Sequence, residues 1–213
     1  MNFDIPRYDS SIEQLDSGVL FEVFGHKTEV HEAEDEQALV CGNPEADCAS
    51  WSYHTHENAD GIACLKYAIE QLTSNKISEE ELCSLADASA YYDLETGIST
   101  GDMLHILESY DLSSEYCENT SLQELMEMLE EGKAICAVSS SLLEGKDPLP
   151  YEGFSADTYV QVIGIDLRDP LRQFVRLNVP FDRRGAGKVY DLAAFSNAWK
   201  AGNKSVIFVG RRN

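Results

Sequence analysis

The sequence predicts an α+β fold, with helices in its N-terminal half and an antiparallel sheet in its C-terminal half, on three observations. Residues 60–72 carry apolar side chains at helical spacing, with Ile62, Leu65, Ile69 and Leu72 on one stripe and Cys64 and Ala68 widening it. Helix-start signatures recur at residues 78–81 and 120–124. After residue 133 the pattern changes to short, Val- and Ile-rich runs separated by turn formers, which is the mark of strands. Helices grouped before strands, without regular alternation, indicate an α+β arrangement.

Taken in order, residues 1–35 are rich in Asp, Glu, Ser and His and read as an acidic extension, with 19–24 patterned as a strand; residues 36–213 form the domain. Residues 38–41 are a short strand closed by the turn Gly42-Asn43-Pro44. Asp60 is expected to be the N-cap of the helix over 60–72, its carboxylate accepting hydrogen bonds from first-turn amides. Ser78-Glu79-Glu80-Glu81 is a capping box opening a helix through Leu82 and Leu85, and residues 87–100, with Tyr91, Tyr92 and Gly97, are expected to be a loop.

A helix from about residue 100 has Met103, Leu104, Ile106 and Leu107 as its apolar side. Thr120 or Ser121 caps another over 122–129, which stops at Gly132. Strands are expected at 134–138, 158–166, 174–178 and 205–209, with a turn at Arg168-Asp169-Pro170 and a short helix over 192–199. Gly185-Ala186-Gly187-Lys188 lacks the full phosphate-loop pattern and precedes no long helix, so it reads as a surface loop.

Composition narrows the function classes. With 213 residues, 43% of them hydrophobic, the chain can bury one substantial core. Its 38 acidic residues against 16 basic ones leave a formal net charge of -22, which repels phosphate backbones and anionic lipid; nucleic-acid and membrane-surface partners are therefore not expected. The first residues lack a basic stretch and an apolar core, and no apolar run approaches the roughly 20 residues of a membrane helix, so a cytoplasmic location is expected. Cys41, Cys48, Cys64, Cys83, Cys117 and Cys136 follow no small-domain disulfide framework and are expected to be reduced thiols.

The run Asp60-Gly61-Ile62-Ala63-Cys64-Leu65-Lys66 resembles the opening of the central helix in papain-like double-glycine leader peptidases. The strand Asp157-Thr158-Tyr159-Val160-Gln161-Val162-Ile163-Gly164-Ile165-Asp166 and the turn Asn178-Val179-Pro180 resemble two further segments of that family. Gly42-Asn43-Pro44 and Trp51 extend the likeness toward the N-terminus, matching a Gly-Asp-Pro turn in one bacterial branch. The resemblance implies a papain-like cysteine peptidase fold over roughly residues 40–210.

It also implies where the chemistry would be. In that family the helix opens on the nucleophilic Cys, a Gln six residues earlier helps form the oxyanion hole, a His begins the strand, and an Asp in the turn orients it. In this chain those places hold Asp60, His54, Thr158 and Val179, with Asn178 beside the last. A thiolate nucleophile needs an imidazole to take its proton. The five histidines are His26, His31, His54, His56 and His105, so none follows residue 105 to serve as the base in the usual Cys-before-His order.

The expectation is a pseudoenzyme: a peptidase-like scaffold with its triad positions replaced, acting as a peptide- or protein-binding or regulatory module. A basic or neutral peptide is the favoured partner, and no cofactor is implied. Two other readings stand beside it. Cys64 is an alternative nucleophile for residual hydrolysis, although its place on the apolar stripe suits a buried structural thiol. Cys41, Cys48, His54 and His56 are four potential zinc ligands within sixteen residues, with Glu57 and Asp60 close by, at a spacing that matches no common zinc motif. Oligomeric state is not legible in the sequence.

Overall fold

The computed structural model describes residues 39–146 and 155–212. The acidic extension expected over 1–35 and the strand expected at 19–24 lie outside the described residues.

The elements in chain order are β1 (Val40–Gly42), α1 (Pro44–Asp47) with a following single turn, α2 (Asp60–Thr73), α3 (Glu79–Ala88), β2 (Tyr92–Asp93) and β3 (Gly97–Ile98). Then come α4 (Thr100–Ser109), β4 (Leu112–Cys117), α5 (Leu122–Glu131), β5 (Lys133–Val138) and α6 (Ser140–Leu143). The remainder is β6 (Thr158–Asp166), β7 (Phe174–Asn178), β8 (Lys188–Asp191), α7 (Leu192–Lys200) and β9 (Val206–Arg211). One antiparallel sheet of seven strands has the order β4-β9-β5-β6-β7-β8, and β1 continues the line of β5 alongside the far end of β6. The mixed helix and antiparallel-sheet class is as the sequence predicts.

The two halves are less separate than the pattern suggests. β1 comes before all the helices, and β4 lies between α4 and α5. The sheet is covered on both faces: α2, α3 and α4 pack on one side against Ile135, Ile207 and Val209. α5 and α7 pack on the other against Ala134, Cys136, Val160, Val162 and Val175. Neighbouring residues of β5 point into different cores, which is why that run is apolar throughout. The sequence reading passes over β4 and β8 because both are edge strands, half-exposed and carrying Ser, Glu, Lys and Asp among few apolar residues.

Local chemistry fixes the helix starts. Ser78 and Ser121 each accept the amide of the third helical residue, and Glu81 and Glu124 return bonds to the cap amides, so both are complete capping boxes. Ser99 caps α4. Between α3 and α4 the expected loop contains a short hairpin, β2 with β3.

α2 is the central helix. Ile62, Ala63, Cys64, Leu65, Tyr67, Ala68 and Ile69 are all fully buried in it, so it is enclosed well beyond one stripe. Its Gln71 reaches the sheet: the Gln71 and Gln161 carboxamides exchange hydrogen bonds of 3.1 and 2.6 Å. The buried Asn178 side chain donates to Gln161 Oε1 and to the Asp47 carbonyl, both at 3.0 Å, and accepts from the Gly187 amide at 3.1 Å. Gln71 also donates to the Asp47 carbonyl and to Ser50, while the Lys133 ammonium holds the Asp47 carboxylate at 2.6 Å. This network sews the α1 segment, α2, β6 and β7 together beneath the loop that leads into α2. Because Asn178→Ala leaves buried partners unpaired, it should destabilise the fold by about 2–3 kcal/mol, read by chemical denaturation.

Candidate functional site

The N-terminus of α2 meets the start of β6 through one carboxylate. Asp60 Oδ2 accepts a hydrogen bond from Thr158 Oγ1 at 2.8 Å and another from the Tyr159 amide at 2.6 Å. Asp60 is therefore not the N-cap expected from the sequence. It is the first helical residue, the cap position is Ala59, and Ala59 contributes no side-chain bond. The carboxylate turns across to the strand because two donors wait there in a partly buried setting, and charge-assisted bonds of this kind outweigh a surface cap. It still lies at the N-terminal end of α2.

Packing around this contact leaves no slack. A Cβ on Gly61 would come within 2.7 Å of Ile98 Cγ2, so the helix opens directly against the hairpin. Tyr159 runs alongside, its hydroxyl 2.9 Å from Thr100 Oγ1. Asn58 adopts a left-handed conformation (φ 52°), and its side chain donates to the Leu94 and Glu95 carbonyls, which fixes the hairpin beside the helix entry. Between these parts lies a cleft of about 270 Å³ lined by Asn58, Asp60, Thr96, Asp157, Thr158 and Tyr159. Asp157 accepts bonds from the Ser140 amide and hydroxyl at 2.7 and 2.8 Å, so its carboxylate turns to α6 while its neighbour Thr158 turns to Asp60.

The loop leading into α2 is fastened from both sides. Trp51 Nε1 donates to the Val179 carbonyl at 2.9 Å and the His54 amide to the Pro180 carbonyl at 3.1 Å. The His54 ring stacks on Tyr53, with Nδ1 2.7 Å from the His56 carbonyl. His54 is thus tied to the Asn178-Val179-Pro180 turn through backbone, away from the residues that line the cleft. Glu79 anchors the other side: its Oε1 accepts the Thr55 and His56 amides at 2.8 and 2.9 Å and stands 2.9 Å from His56 Nδ1. Burial by itself would raise the Glu79 carboxyl, but the bonds from His56 and Thr55 prevail and hold it below the usual carboxylate range.

The structure brings some of the sequence-selected residues together and separates others. Asp60 and Thr158 are in direct contact. Val179 is fully buried in the core of the α5 and α7 face, and Asn178 serves the amide network. Cys64 is completely enclosed; burial, and then the Asp60 carboxylate and Cys136, push its thiol well above the ordinary range. The four-residue zinc arrangement is not assembled. Cys41 faces the α5 and α7 core with its thiol raised by burial to about 11, Cys48 bonds the Glu45 carbonyl, and the two histidines lie with Tyr53 and Glu79. Gln71 and Gln161 are residues of the amide network that sequence reasoning missed; the one signal was a lone Gln, Gln161, inside an apolar strand.

No family model and no curated protein matches the sequence. Solved structures do match in fold. The peptidase domain of Streptococcus ComA, a bi-functional ABC transporter involved in a quorum sensing pathway, aligns with a TM-score of 0.52 and 11% identity over 76% of this chain and 98% of that one. A putative C39-like peptidase from Bacillus anthracis aligns with a TM-score of 0.57 and 12% identity, over 76% and 95%. A double glycine motif protease from an AMS/PCAT transporter, solved in complex with the leader peptide, superposes more loosely, with a TM-score of 0.48 and 11% identity over 75% and 89%. The fold is that of C39-like, papain-like peptidase domains. Among the described residues no helix is long and apolar enough to cross a membrane.

Removing the carboxylate should expose its structural share. Asp60→Ala leaves the Thr158 hydroxyl and the Tyr159 amide without their acceptor and should lower stability by about 2 kcal/mol, with Asp60→Asn recovering part of it, as read by denaturant midpoints. Mild alkylation of the native protein should modify the half-exposed Cys48 and Cys117 before Cys64, as peptide mapping by mass spectrometry would record.

Proposed function

We propose that the chain is a cytoplasmic peptidase-fold protein that has exchanged hydrolysis for binding, with the cleft at Asp60 as its recognition site. The observation that carries this reading is the Asp60 carboxylate at the head of α2, held by Thr158 Oγ1 and the Tyr159 amide. In the peptidases that the sequence resembles, the corresponding places belong to a thiolate and its imidazole. A hydroxyl cannot take the imidazole's part as a base near neutral pH, and a carboxylate already bound by two donors is a poor nucleophile. The enclosed, neutral Cys64 supports the same view, because neither a cationic neighbour nor an open face activates it.

The cleft suits an extended peptide. Its polar walls include the Asp60 carboxylate, and the chain's net charge of -22 adds a long-range negative field. A basic peptide, or one presenting a free amino terminus, gains encounter rate and orientation from that field. Six free thiols accord with a reducing compartment.

The test is a fluorescence-anisotropy titration with short basic, neutral and acidic peptides, together with product analysis of each mixture. Saturable binding of the basic series should weaken as salt rises, fall several-fold in Asp60→Asn, and yield no cleavage products. Absence of saturable binding across the series would remove the peptide-binding reading, and turnover of any peptide would remove the pseudoenzyme reading.

A further inference from the structure

We infer that His56, Glu79 and Cys83 form a binding site for a divalent transition-metal ion of the zinc class. An imidazole nitrogen, a carboxylate oxygen and a thiol sulfur from these residues lie within 4.8 Å of one another. Glu79 and Cys83 stand four residues apart, one turn along α3, so their side chains share a face, and both are buried. His56 comes from the loop before α2 and is half-exposed, which leaves an approach for an ion from solvent.

The surrounding contacts prepare the donors. The Thr55 and His56 amides fix the Glu79 carboxylate through Oε1, as outer partners orient ligands in metal sites. Glu79 Oε2 and the Cys83 sulfur engage in no hydrogen bond among the described residues, so both retain coordinating capacity. His56 Nδ1 and Glu79 Oε1 are 2.9 Å apart. Ligand bonds of about 2.0–2.1 Å in a tetrahedron place donors roughly 3.3–3.4 Å apart, so an ion seated on this pair replaces their mutual hydrogen bond and widens it by a few tenths of an ångström. A mixed nitrogen, oxygen and sulfur set excludes Mg²⁺ and Ca²⁺, which take oxygen, and suits Zn²⁺ or Co²⁺. Binding expels the thiol proton and shifts the imidazole proton from Nδ1 to Nε2, and three protein donors leave the remaining position to solvent.

The bound ion would join the loop before α2 to α3, next to the point where the Tyr92 hydroxyl donates to the Glu57 carbonyl. It would therefore brace the approach to α2 without entering the Asp60 contact.

The experiment is equilibrium dialysis of the purified full chain against Zn²⁺, with Co²⁺ as the spectroscopic probe. One equivalent of metal should be retained, and the Co²⁺ form should show a near-ultraviolet sulfur-to-cobalt charge-transfer band. Cys83→Ser should abolish that band. His56→Ala, at a half-exposed position whose backbone amide still bonds Glu79, should weaken Zn²⁺ binding by more than the roughly 10–100-fold that loss of an outer partner costs, with folding checked by circular dichroism. A folded wild-type chain that retains no metal overturns the inference. So does a stoichiometric site whose band and affinity survive both substitutions, because that metal would sit on other cysteines.

Discussion

The Asp60 carboxylate, shared between the Thr158 hydroxyl and the Tyr159 amide, is the contact on which the rest of the arrangement depends. It joins the positive end of the central helix to the first residues of the longest strand, and it does so where both elements begin. The donors are of the right kind: a backbone amide cannot move, and Thr158 is buried, so the charge meets two preset dipoles in a partly desolvated place. The close approach of Gly61 to Ile98 follows from this, because a helix tethered at its first residue has no room to withdraw from the hairpin. The cleft is the space these constraints leave.

A second set of bonds makes the same layers coherent further in. Gln71, Gln161 and Asn178 form an amide cluster between helix and sheet, closed by the Asp47 carbonyl, Ser50 and the Gly187 amide. Buried amides are unfavourable singly and specific together, since each satisfies another only in one register. The cluster therefore sets how β6 and β7 stand relative to α2, and with Trp51 and His54 it holds the entering loop over the sheet edge. Asn178, singled out in the sequence for its place in the turn, is part of this frame.

Charge separates the two candidate sites. At the α2 terminus the carboxylate is compensated by neutral dipoles and borders the cleft, which is the setting for the cationic partner proposed above. At the start of α3 the Glu79 carboxylate is compensated on one oxygen only and stands beside a thiol and an imidazole, a setting for a soft cation. Both rely on the loop of residues 51–58, whose left-handed Asn58 turns the chain sharply into the helix. Sequence spacing drew attention to the histidines of this loop but paired them with the nearby Cys41 and Cys48. The fold pairs His56 with Cys83, twenty-seven residues further on, because Glu79 at the start of α3 holds the loop amides of Thr55 and His56.

Much of the architecture was legible in the residues themselves. Capping boxes at Ser78 and Ser121, the apolar run of α2 and the Val- and Ile-rich strands are local signals, and local physics suffices to set them. Edge strands β4 and β8 were not legible, since a half-exposed strand has no need of apolar alternation. The sequence by itself determined the fold class, the position of the central helix and the absence of a histidine after residue 105. Only the tertiary structure decided that Asp60 serves the strand and not its own helix, that Cys64 is sealed, and that Glu79 gathers His56 and Cys83. Each of these depends on which donor or wall stands opposite a side chain, and that is set by packing between segments far apart in the chain, which no local pattern encodes.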